Sequence, residues 1–96
     1  MHYDYYLSTA DKKRKNSAIT GLESGSLAVE DLRNDTDLTA IVRNGDHGYE
    51  VTINRQGIDC GCKDHEFHGR KYGTSCKHLI AAMLVDQMQN EVQQAA

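Results

Sequence analysis

Cys60-Gly61-Cys62 and, after a gap, Cys76-Lys77-His78 decide how this chain is read. Three cysteines and a histidine in two tight pairs are soft and borderline metal ligands, and a Cys3His set completes the tetrahedral shell of a structural zinc site. Such a shell leaves no open position for chemistry. Upstream of the first pair, Ile58-Asp59-Cys60-Gly61-Cys62 alternates with period two, so Ile58 and both thiols share one strand face. The preceding strand is Tyr49–Asn54, with Tyr49, Val51 and Ile53 on one face, and Arg55-Gln56-Gly57 turns the chain between them. The second pair needs a helix start instead, because residues two apart inside an α-helix point about 200° away from each other. Cys76 then stands at or just before that start and His78 in the first turn, with Thr74 and Ser75 as capping residues. The free N–H groups and the positive end of the helix dipole favour a thiolate at Cys76. Beyond it Ile80, Leu84, Met88 and Val92 recur at every fourth position, with Ala81, Met83 and Val85 beside them. Asp86, Gln87, Gln89, Asn90 and Glu91 are polar, which predicts an amphipathic helix packed on the sheet.

Working outward, the tyrosine-rich residues 1–7 predict a short edge strand or a loose arm. A helix is expected from Ser8 or Thr9 to about Glu23, with Ala10, Ala18, Ile19 and Leu22 as its apolar stripe, and Ser24-Gly25 as its end. Leu27 and Val29 alternate as in a strand, Asn34-Asp35-Thr36-Asp37 reads as a turn, and Leu38, Ala40 and Val42 form another strand up to the hairpin signal Asn44-Gly45. The expected fold is a small α+β domain. It has an N-terminal helix, an antiparallel meander of three or four strands, and a C-terminal helix tied to the last hairpin by a structural zinc. The Gln-rich end, Gln87 to Ala96, is expected to be partly disordered or docked on a partner.

Composition points the same way. At 96 residues the chain makes one small domain, and a chain of this size buries only about 60 to 65% of its unfolded surface. With no Trp, one Phe and no Pro, its core is thin and a metal staple is expected. Three cysteines cannot all pair in disulfides, and the longest apolar run, Leu79 to Val85, is too short for a signal peptide or a membrane span. The expectation is an intracellular, reduced protein, cytoplasmic or, in a eukaryote, nuclear. The net charge of −3 is unevenly placed. Residues 1–20 hold four bases against two acids, residues 21–50 seven acids against two bases, and the remainder is balanced. An anionic partner would therefore have to meet a local patch.

The residues resemble the SWIM-type zinc finger, whose pattern is C-x-C, a variable gap, then C-x-H. Cys60-Gly61-Cys62-Lys63-Asp64 is similar to that family's C-x-C-x-D opening, and Cys76-Lys77-His78-Leu79-Ile80-Ala81-Ala82-Met83-Leu84 to its C-K-H-L-x-A-A/V-x-L close. The Tyr49-Glu50-Val51 strand and the Gly57 turn also fit, so the resemblance covers roughly residues 48–86. Gly61 departs from the family's usual Pro, Ser or Thr, and two extra histidines lie between the pairs. The resemblance implies one structural Zn2+ held by Cys60, Cys62, Cys76 and His78. It divides a single domain, 1–96, into a finger over 48–92 and an N-terminal helix and strands over 1–47 packed on it. SWIM fingers occur in transposases, chromatin ATPases, ubiquitin ligases and recombination accessory proteins. The implied role is a DNA-binding accessory module or a protein–protein adaptor, with DNA or a protein as partner, no membrane and no small-molecule substrate.

Lys63, Arg70, Lys71 and Lys77 surround the pairs, and Lys12, Lys13, Arg14 and Lys15 form the other basic cluster. These are the candidate nucleic-acid or partner contacts; neutralisation of a thiolate-rich centre, a solvated helix face and plain solubility are the competing explanations. His65 and His68, in a polar loop, are read as solvated, with ligation, a second metal site or nucleic-acid contact as their other roles. Asp64 is read either as an acceptor for the free ring nitrogen of His78 or as a solvated acid. Cys-Gly-Cys is also a conceivable redox dithiol, but no thioredoxin-like pattern, Walker loop or nucleophile elbow accompanies it. A non-catalytic protein is expected.

Overall fold

Apolar–polar alternation builds four strands in the computed structural model, which describes residues 1–95, with side chains through Glu91. They are β1 (Leu27–Asn34), β2 (Leu38–Asn44), β3 (His47–Asn54) and β4 (Gly57–Cys60). They form an antiparallel meander in the order β1-β2-β3-β4. One face carries Leu27, Leu38, Ala40, Val42, Val51 and Ile53, all buried. Asn44 still pairs with His47, so the hairpin loop is Gly45-Asp46, one residue later than the Asn-Gly signal suggests. Gly45 takes the positive φ of 64° that the first position of such a loop requires. Asn54 likewise pairs with Gly57, and β4 ends at Cys60, so Cys62 lies past the strand rather than in it. The outer strand β1 is interrupted by a shift in register around Asp31. A bulge and exposed charge of this kind keep a free sheet edge from pairing with other chains.

Helices cover one face of this sheet. The N-terminal helix expected from Ser8 is two helices, α1 (Asp4–Thr9) and α2 (Lys12–Ser24). Asp11, not Ser8 or Thr9, caps the second, accepting a hydrogen bond from the Arg14 amide at 2.8 Å. Residues 4–7 thus start a helix instead of a strand or arm. Buried Tyr3 precedes them, its hydroxyl donating to Asp86 at 2.7 Å. Of the expected stripe, Ala10 and Ala18 are buried, whereas Ile19 is exposed.

The C-terminal helix, α4 (Lys77–Ala95), lies against α2 and all four strands. Its first two turns are therefore enclosed on nearly every side: Leu79, Ile80, Ala81, Ala82 and Met83 are all fully buried. The expected stripe fails beyond Ile80, since Leu84 is only half-buried and Met88 is exposed, while Asp86, expected on the polar face, is buried. Gln87 to Glu91 are exposed and helical, and the helix continues through Ala95. The Val92 side chain and Ala96 lie outside the described residues. Among the described residues no helix is long and apolar enough to cross a membrane.

Candidate metal centre

Cys60 ends β4, opposite Val51 of β3. Two residues on, Cys62 opens a helical stretch: its carbonyl accepts from the Glu66 amide at 3.1 Å and its sulfur from the His65 amide at 3.3 Å. Cys76 is the cap residue of α4, its carbonyl accepting the helix bond from the Ile80 amide at 3.0 Å. His78 sits in the first turn. The Thr74 and Ser75 hydroxyls expected to cap this helix are buried without hydrogen-bond partners, so the capping position falls to Cys76 itself.

The four side chains converge. Cys60, Cys62, Cys76 and His78 are all buried, and their ligand atoms lie within 4.8 Å of one another. His78 turns Nδ1 toward the sulfurs, 3.8 Å from Cys60 Sγ and 3.9 Å from Cys76 Sγ. A tetrahedral shell with bonds of about 2.1 Å to nitrogen and 2.3 Å to sulfur sets neighbouring donors about 3.6 to 3.8 Å apart. These residues therefore fit one metal ion. Electrostatics inside the cluster are already polarised. A hydrogen bond from Cys60, and then those from His78 and the Leu79 amide, push the Cys76 thiol down to about 4. The same Cys60–Cys76 bond, with burial, pushes the Cys60 thiol up, and burial raises Cys62.

Two neighbours orient His78. Tyr49 stacks on its ring with centroids 4.5 Å apart, and the Asn44 amide lies 3.2 Å from Nε2. Asp64, one reading of which made it the acceptor for His78, is turned elsewhere. It takes a two-pronged ion pair from Arg14, at 2.8 Å from Nε and 2.6 Å from Nη2. Asn44 was legible only as a turn residue. Tyr49 was foreshadowed, because the alternation that places Val51 opposite Cys60 puts Tyr49 next along the same face.

The polar loop between the pairs is structured: a π-helical turn, His65–Gly69, runs into α3 (Arg70–Tyr72). His65 is not solvated but buried, 1% exposed, and is not among the four clustered residues. Gly69 explains why, since a Cβ there would overlap His65 Nδ1 and the Thr74 carbonyl. Neither ring nitrogen of His65 makes a hydrogen bond; the nearest carboxylate oxygen, Asp59 Oδ1, is 3.5 Å from Nε2. His68 is half-buried against Tyr72.

The eight basic candidates do not form one patch. Lys12, Lys13 and Lys77 line a single groove of about 740 Å³ with Asn16, Ser17 and Thr20, and none of its lining residues is acidic. A second cleft, of about 400 Å³, shares Lys13, Ser17 and Lys77 and reaches Cys62, Cys76 and His78. Arg14 is committed to Asp64 and Asp11, and Arg70 lies 3.3 Å from Asp59. Lys71 stands over the Tyr72 ring, Lys63 is exposed, and Lys15 is half-buried.

Fold and site together define a small α+β domain closed around a buried Cys3His cluster able to hold one metal ion. Compared with protein-family models, with curated proteins and with solved structures, the chain matches none.

Proposed function

We propose that this chain is a SWIM-type zinc module that acts as a DNA-binding accessory protein. The observation that carries the zinc reading is the donor set itself: three sulfurs and one imidazole nitrogen, buried and mutually within 4.8 Å, at C-x-C and C-x-H spacing. Three thiolates and an imidazole select a soft or borderline cation, and a four-donor tetrahedral shell is the usual structural zinc shell. Zinc bound there supplies cross-linking and charge neutralisation, tying the end of β4 to the start of α4. A full shell offers no position to water or substrate, so the assigned role is structural rather than catalytic. Burial of all three sulfurs also argues against thiol exchange, which needs an accessible thiolate.

The DNA reading rests on the groove of Lys12, Lys13 and Lys77. These three ammonium groups make no ion pair among the described residues. With hydroxyl and amide side chains between them and no acid in the lining, they suit a phosphate backbone. None of the seven acids of residues 21–50 lines that groove, although Leu27 at the start of β1 does.

Fluorescence anisotropy with labelled DNA tests this at about 50 mM salt, where phosphate contacts are strong. Binding should weaken with added salt, and reversing Lys12, Lys13 and Lys77 to Glu should abolish it while zinc content holds. Absence of binding at that salt would transfer the assignment to a protein–protein adaptor. Metal analysis of the purified protein should return one zinc per chain.

A further inference from the structure

Two large aromatic side chains stand out in water on the segment between the ligand pairs, Phe67 at 71% exposure and Tyr72 at 60%. The segment that carries them is anchored. Cys62 accepts from the His65 and Glu66 amides, the Gly69 carbonyl accepts from the Thr74 amide at 3.2 Å, and His65 is buried beneath. Phe67 and Tyr72 are five residues apart, about 8 Å along a helical path. Phe67 has no ring partner among the described residues, and Tyr72 rests against the His68 ring with centroids 4.7 Å apart.

We propose that Phe67 and Tyr72 form a stacking platform for unpaired bases, so that the DNA engaged by this chain is single-stranded. This rests on the DNA reading above and deepens it. An exposed aromatic ring can stack on a base only where the base is free of its partner; a duplex offers phosphates but no base faces along its length. Single-strand binding sites combine such rings with cations that follow the backbone. Here the Lys71 ammonium lies 5.4 Å from the Tyr72 centroid, and Lys63 is exposed at the start of the segment. The nearby acids are largely committed, Asp64 to Arg14 and Asp59 to Arg70, leaving Glu66. The segment packs beside β4. The acids of β1 are therefore at the opposite edge of the sheet, three strand spacings or about 14 Å away. Flanking lysines also favour nucleic acid over a protein partner, because protein interface cores are depleted in lysine. Tyr5 is as exposed, but its helix carries only the acid Asp4.

The test uses the zinc-loaded 96-residue chain and three labelled probes of equal length, about 15 nucleotides: oligo(dT), a DNA duplex and oligo(U). Oligo(dT) should bind more tightly than the duplex. Phe67→Ala and Tyr72→Ala should each weaken oligo(dT) binding about tenfold, a mid-range loss for one stacked base, and leave duplex binding unchanged. Both rings are exposed, so zinc content and circular dichroism should not move. Phe67→Leu should not restore binding. The chain has no tryptophan, so Phe67→Trp provides a single tryptophan that can be excited apart from the tyrosines, which should retain affinity and be quenched by oligo(dT). If both alanine variants bind oligo(dT) as the parent does while reversal of Lys12, Lys13 and Lys77 weakens every probe, the platform is wrong and the DNA reading stands. If no probe binds, the DNA reading itself fails. Tighter binding to oligo(U) than to oligo(dT) would overturn the assignment to DNA. A Phe67→Ala variant that loses a protein partner but no nucleic acid would overturn the platform.

Discussion

The helix α4 carries two buried polar clusters, one around His78 and one around Asp86, eight residues or about 12 Å apart along its axis. Burial is nearly equal, 4% and 5% exposed, yet the clusters differ in how they are closed. Asp86 Oδ2 lies within hydrogen-bonding distance of the Tyr3 hydroxyl at 2.7 Å, the Asn34 amide at 3.0 Å and the Asn90 amide at 3.3 Å. Asn34 in turn accepts from the Met1 ammonium at 2.7 Å. The protein satisfies that cluster from within. Around His78, three sulfurs and a ring nitrogen face one another at distances too long for strong hydrogen bonds. Those four ligand atoms, all within 4.8 Å of one another, are of the types and spacing that a single metal ion takes. One cluster is closed by the chain's own hydrogen bonds; the other could hold one metal ion.

The sharpest way to break this comparison is to remove the metal. Binding free energy of structural zinc is folding free energy, on the order of 10 kcal/mol, comparable to the whole stability of a small domain. Exhaustive chelation should therefore unfold at least residues 48–92, read as loss of the α4 helical signal and of a cooperative thermal transition. A preparation freed of zinc that kept its full circular dichroism and its melting temperature would show both clusters to be self-sufficient.

Breaking the Asp86 cluster should cost less and leave the metal in place. Asp86→Ala strands the Tyr3 hydroxyl and the Asn34 amide in a buried setting, a loss of about 2 to 4 kcal/mol by denaturant titration. Tyr3→Phe removes one donor only and should cost about 1 to 2 kcal/mol. Both variants should bind zinc stoichiometrically; loss of zinc from either would join the clusters into one unit.

The two clusters were also unequally legible. Ligand chemistry is rare and local, so Cys60, Cys62, Cys76 and His78 announced themselves by type and spacing, and the turns and alternation around them gave the meander. The Asp86 cluster draws on residues 1, 3, 34, 86 and 90, ordinary surface types with no short-range pattern. Its burial depends on α4 lying against the whole sheet, which periodicity in one helix does not contain. His65 was hidden too: the missing side chain of Gly69, four residues on, leaves room for its ring, and the segment is enclosed only because it packs against β4. So was Arg14, whose partner is fifty positions away.

A finer test acts within the metal cluster. With metal on Nδ1, the proton of His78 is on Nε2, which then donates, and the Asn44 amide must turn its oxygen to accept. Asn44→Ala should thus lower metal affinity about 10- to 100-fold, measured by competition with a chelator of known affinity. Saturating zinc should restore the fold. An unchanged affinity would reduce Asn44 to a turn residue.

The smallest effect is expected where the N-terminal half reaches the metal loop through solvent, at Arg14–Asp64. Hydrogen bonds from Arg14 hold the Asp64 carboxyl below its usual range, and Asp64 and Asp11 hold the guanidinium above its own. The Asp64 side chain is 44% exposed, so water and salt screen much of the attraction. A bidentate but exposed pair of this kind is worth at most about 1 kcal/mol. Because the folded-state carboxyl is shifted down, its contribution is fully present above the unfolded value of about 3.9 and is lost as the pH falls through the lower folded value. Asp64→Asn should therefore destabilise the zinc-loaded protein slightly at neutral pH. The difference from the parent should shrink in high salt. A penalty of several kcal/mol, insensitive to salt, would instead rank this tie with the buried Asp86 cluster, and the contrast between closed and open clusters would then have to include a third, exposed member that behaves as if it were buried.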